Sequence, residues 1–81
     1  MVATPRRIQI TGADLTGAEG KNRTYTIPDA TADTSVLRIN IAGTSIYEGV
    51  GKGYTVSGLD ITFLNWVYDD SNIEISYHYE V

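Results

Sequence analysis

The sequence predicts an all-β protein, a small antiparallel β-sandwich or barrel of about six to seven strands. Two features of the chain point that way. Along residues 35–79, apolar or β-branched residues alternate with polar ones, and each break falls on a glycine or an Asp/Asn cluster. A period of two places successive side chains on opposite faces, as half-buried strands require. The second feature is that no segment of helical length carries a 3.6-residue period, which leaves room only for a turn of helix within residues 12–21 or 28–34. Many short strands without helices pack as two sheets or close into a small barrel.

The first strand is expected over residues 7–11, with Ile8 and Ile10 inward and Gln9 outward. Residues 1–5 offer little to pack and read as a short flexible arm, disordered or reaching to a neighbouring subunit. Residues 12–21 carry three glycines and read as a loop that stays mobile unless a partner holds it. Residues 23–27 form the second strand, with Tyr25 and Ile27 inward, ended by Pro28. A loop over residues 28–34 leads to the clearest core strand, residues 35–42, where Leu37, Ile39 and Ile41 oppose Arg38 and Asn40. A strand-like stretch follows at residues 46–49. Next comes a short strand at residues 54–57, a tight turn at residues 58–60, and a strand at residues 61–64 with Ile61 and Phe63 on one face. After the polar turn at residues 68–72, the last strand sets Ile73, Ile75, Tyr77, Tyr79 and Val81 against Glu74, Ser76, His78 and Glu80.

At 81 residues this is a single domain, numbered 1–81, that folds with little margin to spare. It has no cysteine, so neither a disulfide nor a thiolate zinc site supports it, and folding in a reducing cytoplasm is the expectation. Oligomerisation is the other usual support for so small a domain. The formal charge of −4 argues against non-specific nucleic-acid binding, which relies on Lys and Arg neutralising phosphates. No apolar run is long enough to cross a bilayer, and residues 1–7 lack the apolar stretch of a signal peptide. Six tyrosines and one tryptophan accompany a single phenylalanine, an amphipathic aromatic set suited to contact surfaces.

Residues 35–79 resemble a β-rich module of tailed-bacteriophage structural proteins, found in tail-fibre and related virion proteins. The residues that carry the likeness are Ala42-Gly43, Tyr47-Glu48-Gly49, Tyr54-Thr55-Val56-Ser57-Gly58, Ile61-Thr62-Phe63 and Ile73-Glu74-Ile75-Ser76-Tyr77. Gly53 stands where that module usually has Asp, and Trp66-Val67-Tyr68 fills a loop usually built from small residues or proline. The likeness covers a little over half the chain. It implies a non-enzymatic virion part without cofactors, made in the host cytoplasm. A capsid decoration (cement) protein or a small tail or fibre component fits it. Met1 at the head of so short a chain favours a module that stands alone. Other virion subunits are the expected partners, in a homo-oligomer with a trimer favoured. The alternative is a module that binds a cell-surface glycan.

Candidate chemistry is sparse. His78 is the sole histidine and shares a strand face with carboxylates; without a nucleophile turn it reads as a solvent-facing strand residue. Residues 69–72 with Glu74 offer oxygens but not the order of a calcium loop, and Asp and Asn are also what a turn between strands needs. Residues 49–53 include Lys52 but fall short of a phosphate-binding loop. The candidate interface is Leu64, Trp66 and Tyr68 together with Arg6 and Arg7. If alternation continues past Phe63, Asn65 and Val67 point inward and the three large side chains face out. A bulge near Asn65 would instead return Trp66 to the core. Both placements are open at this level.

Overall fold

The computed structural model describes residues 3–80, which form seven strands in two antiparallel sheets. The strands are β1 (Ala3–Thr11), β2 (Arg23–Thr26), β3 (Ala32–Ile41), β4 (Thr44–Ile46), β5 (Tyr54–Ser57), β6 (Asp60–Phe63) and β7 (Asn72–Glu80). One sheet has the order β1-β7-β3-β4 and the other β2-β6-β5. Among the described residues the only helical element is one 3-10 turn, Gly12–Asp14, inside the first of the two windows expected to hold a turn. The all-β sandwich class expected from the alternation is thus the observed one.

Burial follows the period of two. Along β7, Ile73, Ile75 and Tyr77 are sealed from solvent while His78 and Glu80 are exposed. Leu37 and Ile39 of β3, Ile61 and Phe63 of β6 and Tyr54 of β5 meet them between the sheets, joined by Leu15, Ile27 and Val67 from the connections. Each of these large side chains contributes about 1.5–3 kcal/mol on burial. The pairing runs in unbroken register from Ala3↔Glu80 to Thr11↔Asn72, so the two ends of the described chain lie side by side. Residues 3–5, expected in a flexible arm, are therefore part of an edge strand; residues 1 and 2 of that arm lie outside the described residues. Backbone pairing with β7 orders this segment without needing apolar side chains. Pro5 and the exposed Arg7 also blunt the edge that β1 presents.

Two hairpins and four crossings build the topology. The β3–β4 hairpin closes through Ala42 and Gly43, both at positive φ (52° and 81°), as a two-residue turn matched to strand twist demands. Strand β3 starts earlier than expected, at Ala32, because its pairing with β7 is interrupted. Asp33 faces His78, and the next paired residue, Arg38, faces Ser76. Within the interruption the Asp33 carboxylate accepts from the Ser35 hydroxyl (2.6 Å) and amide (3.0 Å), which holds the Asp33 carboxyl below its ordinary range.

The end of the sandwich opposite the long loops is closed by Asp29. Its carboxylate accepts from the Tyr77 hydroxyl and pairs with Arg6 at 3.3 Å. Burial, then the bond to Asp29, pushes the Tyr77 phenol up from its ordinary 10. Burial also raises Tyr25 and Tyr54. A tyrosine whose folded pKa exceeds its unfolded one adds stability that is whole below about pH 10 and lost as pH rises through the folded value. Ultraviolet titration is expected to find three of the six tyrosines ionising late, with Tyr77 last and only as the fold is lost. All six ionising together near pH 10 with the fold intact would contradict the burial of Tyr77.

Candidate functional site

Four connections gather at or beside one end of the sandwich: residues 12–22, 42–43, 47–53 and 64–71. Past Phe63 the chain leaves the sheet but keeps its alternation at three positions. Val67 points inward and is 2% exposed, while Trp66 and Tyr68 face out at 53% and 58%. Asn65 does not follow; it is exposed, with its amide 3.5 Å from the Lys52 carbonyl. Leu64 is half-buried. The bulge that would return Trp66 to the core is absent from this segment. The two rings lie 6.3 Å apart, centroid to centroid, tilted by 55°.

The backbone beneath these rings is strapped on both sides. On one side the Leu64 amide donates to the Gly53 carbonyl at 3.0 Å. On the other, Val67 donates to Gly20, Ala13 to Asp69 and Gly12 to Ser71, each at 3.0 Å. The Asp69 amide also donates to the Glu19 carboxylate at 3.1 Å. Gly12 lies so close to Tyr68 that a Cβ built on it would sit 1.9 Å from the Tyr68 carbonyl oxygen.

Arg23 is the hub of this end, and sequence reading missed it. It continues the inward face of β2 ahead of Tyr25 and Ile27, and is 3% exposed. Its guanidinium places five N–H donors against five acceptors. Nε donates to the Thr16 carbonyl (3.2 Å), and Nη1 to the Val67 carbonyl (3.3 Å) and the Asp69 carboxylate (2.8 Å). Nη2 donates to the carbonyls of Leu15 (3.4 Å) and Gly17 (3.1 Å). One side chain thereby ties residues 15–17 to residues 67–69, so the glycine-rich loop expected to be mobile is held from within. The available signal was a charged residue in register with an apolar strand face.

The five expected interface residues do not share one surface. Arg6 and Arg7 project to opposite faces of β1. Arg6 is engaged at the far end with Asp29 and lies over the Tyr79 ring, 5.7 Å from its centroid. Arg7 is on the outer face of the four-stranded sheet, 3.5 Å from Glu74. His78 is exposed on that same outer face, in register with Pro5 and Asp33. Among the described residues no three or more His, Cys, Asp or Glu side chains are gathered to hold a metal ion. The carboxylates of Asp14, Glu19 and Asp69 are spent on the Thr11 amide, the Asp69 amide and Arg23. No family model matches the chain, and no curated protein and no solved structure is significantly similar to it.

Proposed function

We infer that this is a non-enzymatic assembly protein, a β-sandwich that binds protein subunits through Trp66 and Tyr68. The observation that carries the reading is two large aromatics, each more than half exposed, on a segment strapped to its neighbours on both sides. Tryptophan and tyrosine dominate protein contacts because they bury much area at little conformational cost. A backbone already fixed before contact reduces the ordering that binding requires. The resemblance of residues 35–79 to virion modules supports a bacteriophage setting, as a capsid decoration protein or small tail or fibre component made in the host cytoplasm. In that setting the partners are other virion subunits, and repetition on a lattice multiplies weak single contacts.

The test is light scattering coupled to size exclusion, from micromolar to near-millimolar protein, on the wild type and on Trp66→Ser/Tyr68→Ser. The wild type is expected to associate and the double variant to stay monomeric. Because both side chains are exposed, its stability should move by no more than about 0.5 kcal/mol each. Equal association of the two proteins would overturn the reading. So would a wild type whose Trp66 emission shifts with added oligosaccharide while it remains a monomer, since ring faces beside carboxylates also suit a sugar.

A further inference from the structure

Strand β4 covers only part of β3. The last pair of their hairpin is Ile39↔Ile46, and past it the chain crosses to the other sheet. There the Gly53 and Tyr54 amides both donate to the Tyr47 carbonyl, at 2.9 and 3.3 Å, and the Gly49 amide to the Tyr54 carbonyl at 2.7 Å. Among the described residues Leu37 has no strand partner on either side. Beside this uncovered edge lies a cavity of about 520 Å³, within the range of ligand sites.

Leu37, Ile39 and Ile46 give the cavity an apolar lining, and Tyr54 borders it from β5. Tyr54 is only 3% exposed, and its hydroxyl bonds to no protein group. Yet among the described residues no buried side-chain nitrogen or oxygen lacks a partner, so the Tyr54 oxygen must itself open to the cavity. A buried tyrosine hydroxyl ordinarily bonds to the protein, and this one is free for whatever enters. Arg38 and Glu48 line the same space, both exposed and neither in an ion pair among the described residues. Burial raises the Tyr54 phenol most, Glu48 raises it further and Arg38 lowers it, which sets both charges near the hydroxyl. Half-buried Ser76 and Asn40 add a hydroxyl and an amide; the Asn40 oxygen accepts from Ser45 at 2.8 Å, which leaves its nitrogen to donate. Tyr47 also borders the cavity, with its side chain 70% exposed.

We propose that this cavity binds a neutral sugar residue, its hydroxyls bonded to Tyr54, Arg38 and Glu48 and a C–H face laid on the Tyr47 ring. The site is independent of the contact surface at Trp66 and Tyr68. One unpaired cation and one unpaired carboxylate cancel, and Glu74 is already engaged by Arg7 at 3.5 Å and Gln9 at 3.4 Å. The cavity thus has no net charge with which to select an ion. It offers a mixture instead: Arg38 and the Asn40 nitrogen donate, Glu48 accepts, and the Tyr54 and Ser76 hydroxyls do both. Neighbouring hydroxyls of a pyranose also do both, and so satisfy the whole set. An apolar ligand would strip water from two charges and give nothing back. A peptide strand would need a run of open edge, whereas β3 loses its register between Arg38 and Asp33.

The test is saturation-transfer NMR with calorimetry on the full chain. The probes are glucose, galactose, mannose and N-acetylglucosamine, each as free sugar and as methyl glycoside. At least one is expected to bind saturably, with a Kd on the order of millimolar for so small a ligand. Tyr54→Phe removes a hydroxyl that holds nothing in the fold, and Tyr47→Ala removes an exposed ring. Each is expected to weaken binding by about threefold or more with the urea midpoint unchanged. Trp66→Ser/Tyr68→Ser should bind sugar like wild type. Binding of a methyl glycoside makes the ligand the end of a glycan, and binding of the free form alone makes it a free sugar; either sustains the site. No saturable binding by any probe overturns the proposal, as does binding unchanged in both tyrosine variants. Binding lost only in the Trp66→Ser/Tyr68→Ser variant would place the sugar at that end and overturn the cavity. Glucuronate or inorganic phosphate bound in preference to every neutral probe would make Arg38 an anion site and overturn the ligand class. A wild type that binds sugar through Tyr54 but never associates removes the contact surface and leaves this site standing.

Discussion

Replacing Arg23 with alanine is expected to lower the free energy of unfolding by about 3–5 kcal/mol, the cost of breaking a buried, hydrogen-bonded charge. At about 0.05–0.15 kcal/mol per residue the whole domain holds only about 4–12 kcal/mol. The loss is thus large enough to unfold the chain or to free its loop end. Four carbonyls and one carboxylate lose their donors together, and a guanidinium-sized void opens beside Leu15 and Val67. Urea titration should show a lower midpoint with an unchanged slope if unfolding remains all-or-none. Native hydrogen exchange should show residues 12–22 and 64–71 losing protection first.

Two companions apportion the effect. Arg23→Lys keeps the charge but offers three donors from one point, and cannot span acceptors on both loops. It is expected to recover less than half of the loss. Asp69→Asn removes the carboxylate charge, yet the Asp69 side chain is 59% exposed, so about 1 kcal/mol or less is expected from it. If Asp69→Asn proved as damaging as Arg23→Ala, the ion pair and not the carbonyl cradle would be what holds this end.

The contrast between β7 and Arg23 marks what a sequence makes legible. The faces of β7 were plain because a strict period of two reports burial locally, residue by residue. The same logic found Trp66, Val67 and Tyr68 and failed at Asn65, where the chain has left the sheet and a side-chain bond to residue 52 replaces ladder geometry. Residues 3–5 carry few apolar side chains, so their sequence points to an arm, whereas the β1–β7 ladder that orders them is a backbone pairing between segments almost the whole chain apart. The loop at residues 12–21 looked mobile for the same reason: its glycines are local, but its restraint comes from Arg23 and from residues 67–71. Periodicity flags Arg23 as a charge on an apolar face. It does not name the partner Asp69, 46 positions away. The split of Arg6 from Arg7 was, by contrast, available from the period alone, since adjacent strand residues point to opposite faces.

Gly12→Ala tests the rigidity on which the proposed contact surface depends, and is expected to cost about 3 kcal/mol or more. A Cβ at residue 12 would lie 1.9 Å from the Tyr68 carbonyl oxygen and 2.8 Å from its carbon, both backbone atoms that cannot rotate away. Relief requires the segment carrying Tyr68 to retreat by more than an ångström, at the usual overpacking cost of about 1–3 kcal/mol. That retreat also stretches the Gly12–Ser71 and Ala13–Asp69 hydrogen bonds, each worth about 1 kcal/mol. Gly17→Ala is the control: it sits at φ +75° with nothing within 4 Å, so it should pay only about 1–2 kcal/mol of backbone strain. The variant also separates stability from presentation. If the sandwich core survives while the loop yields, Gly12→Ala should keep its β circular dichroism and tyrosine titration but lose self-association along with the 6.3 Å spacing of Trp66 and Tyr68. Thermal and urea unfolding near wild type, with association intact, would mean that the close approach of residues 12 and 68 is not maintained in solution. The aromatic pair would then bind from a flexible loop, paying on contact an ordering cost that the strapped segment avoids.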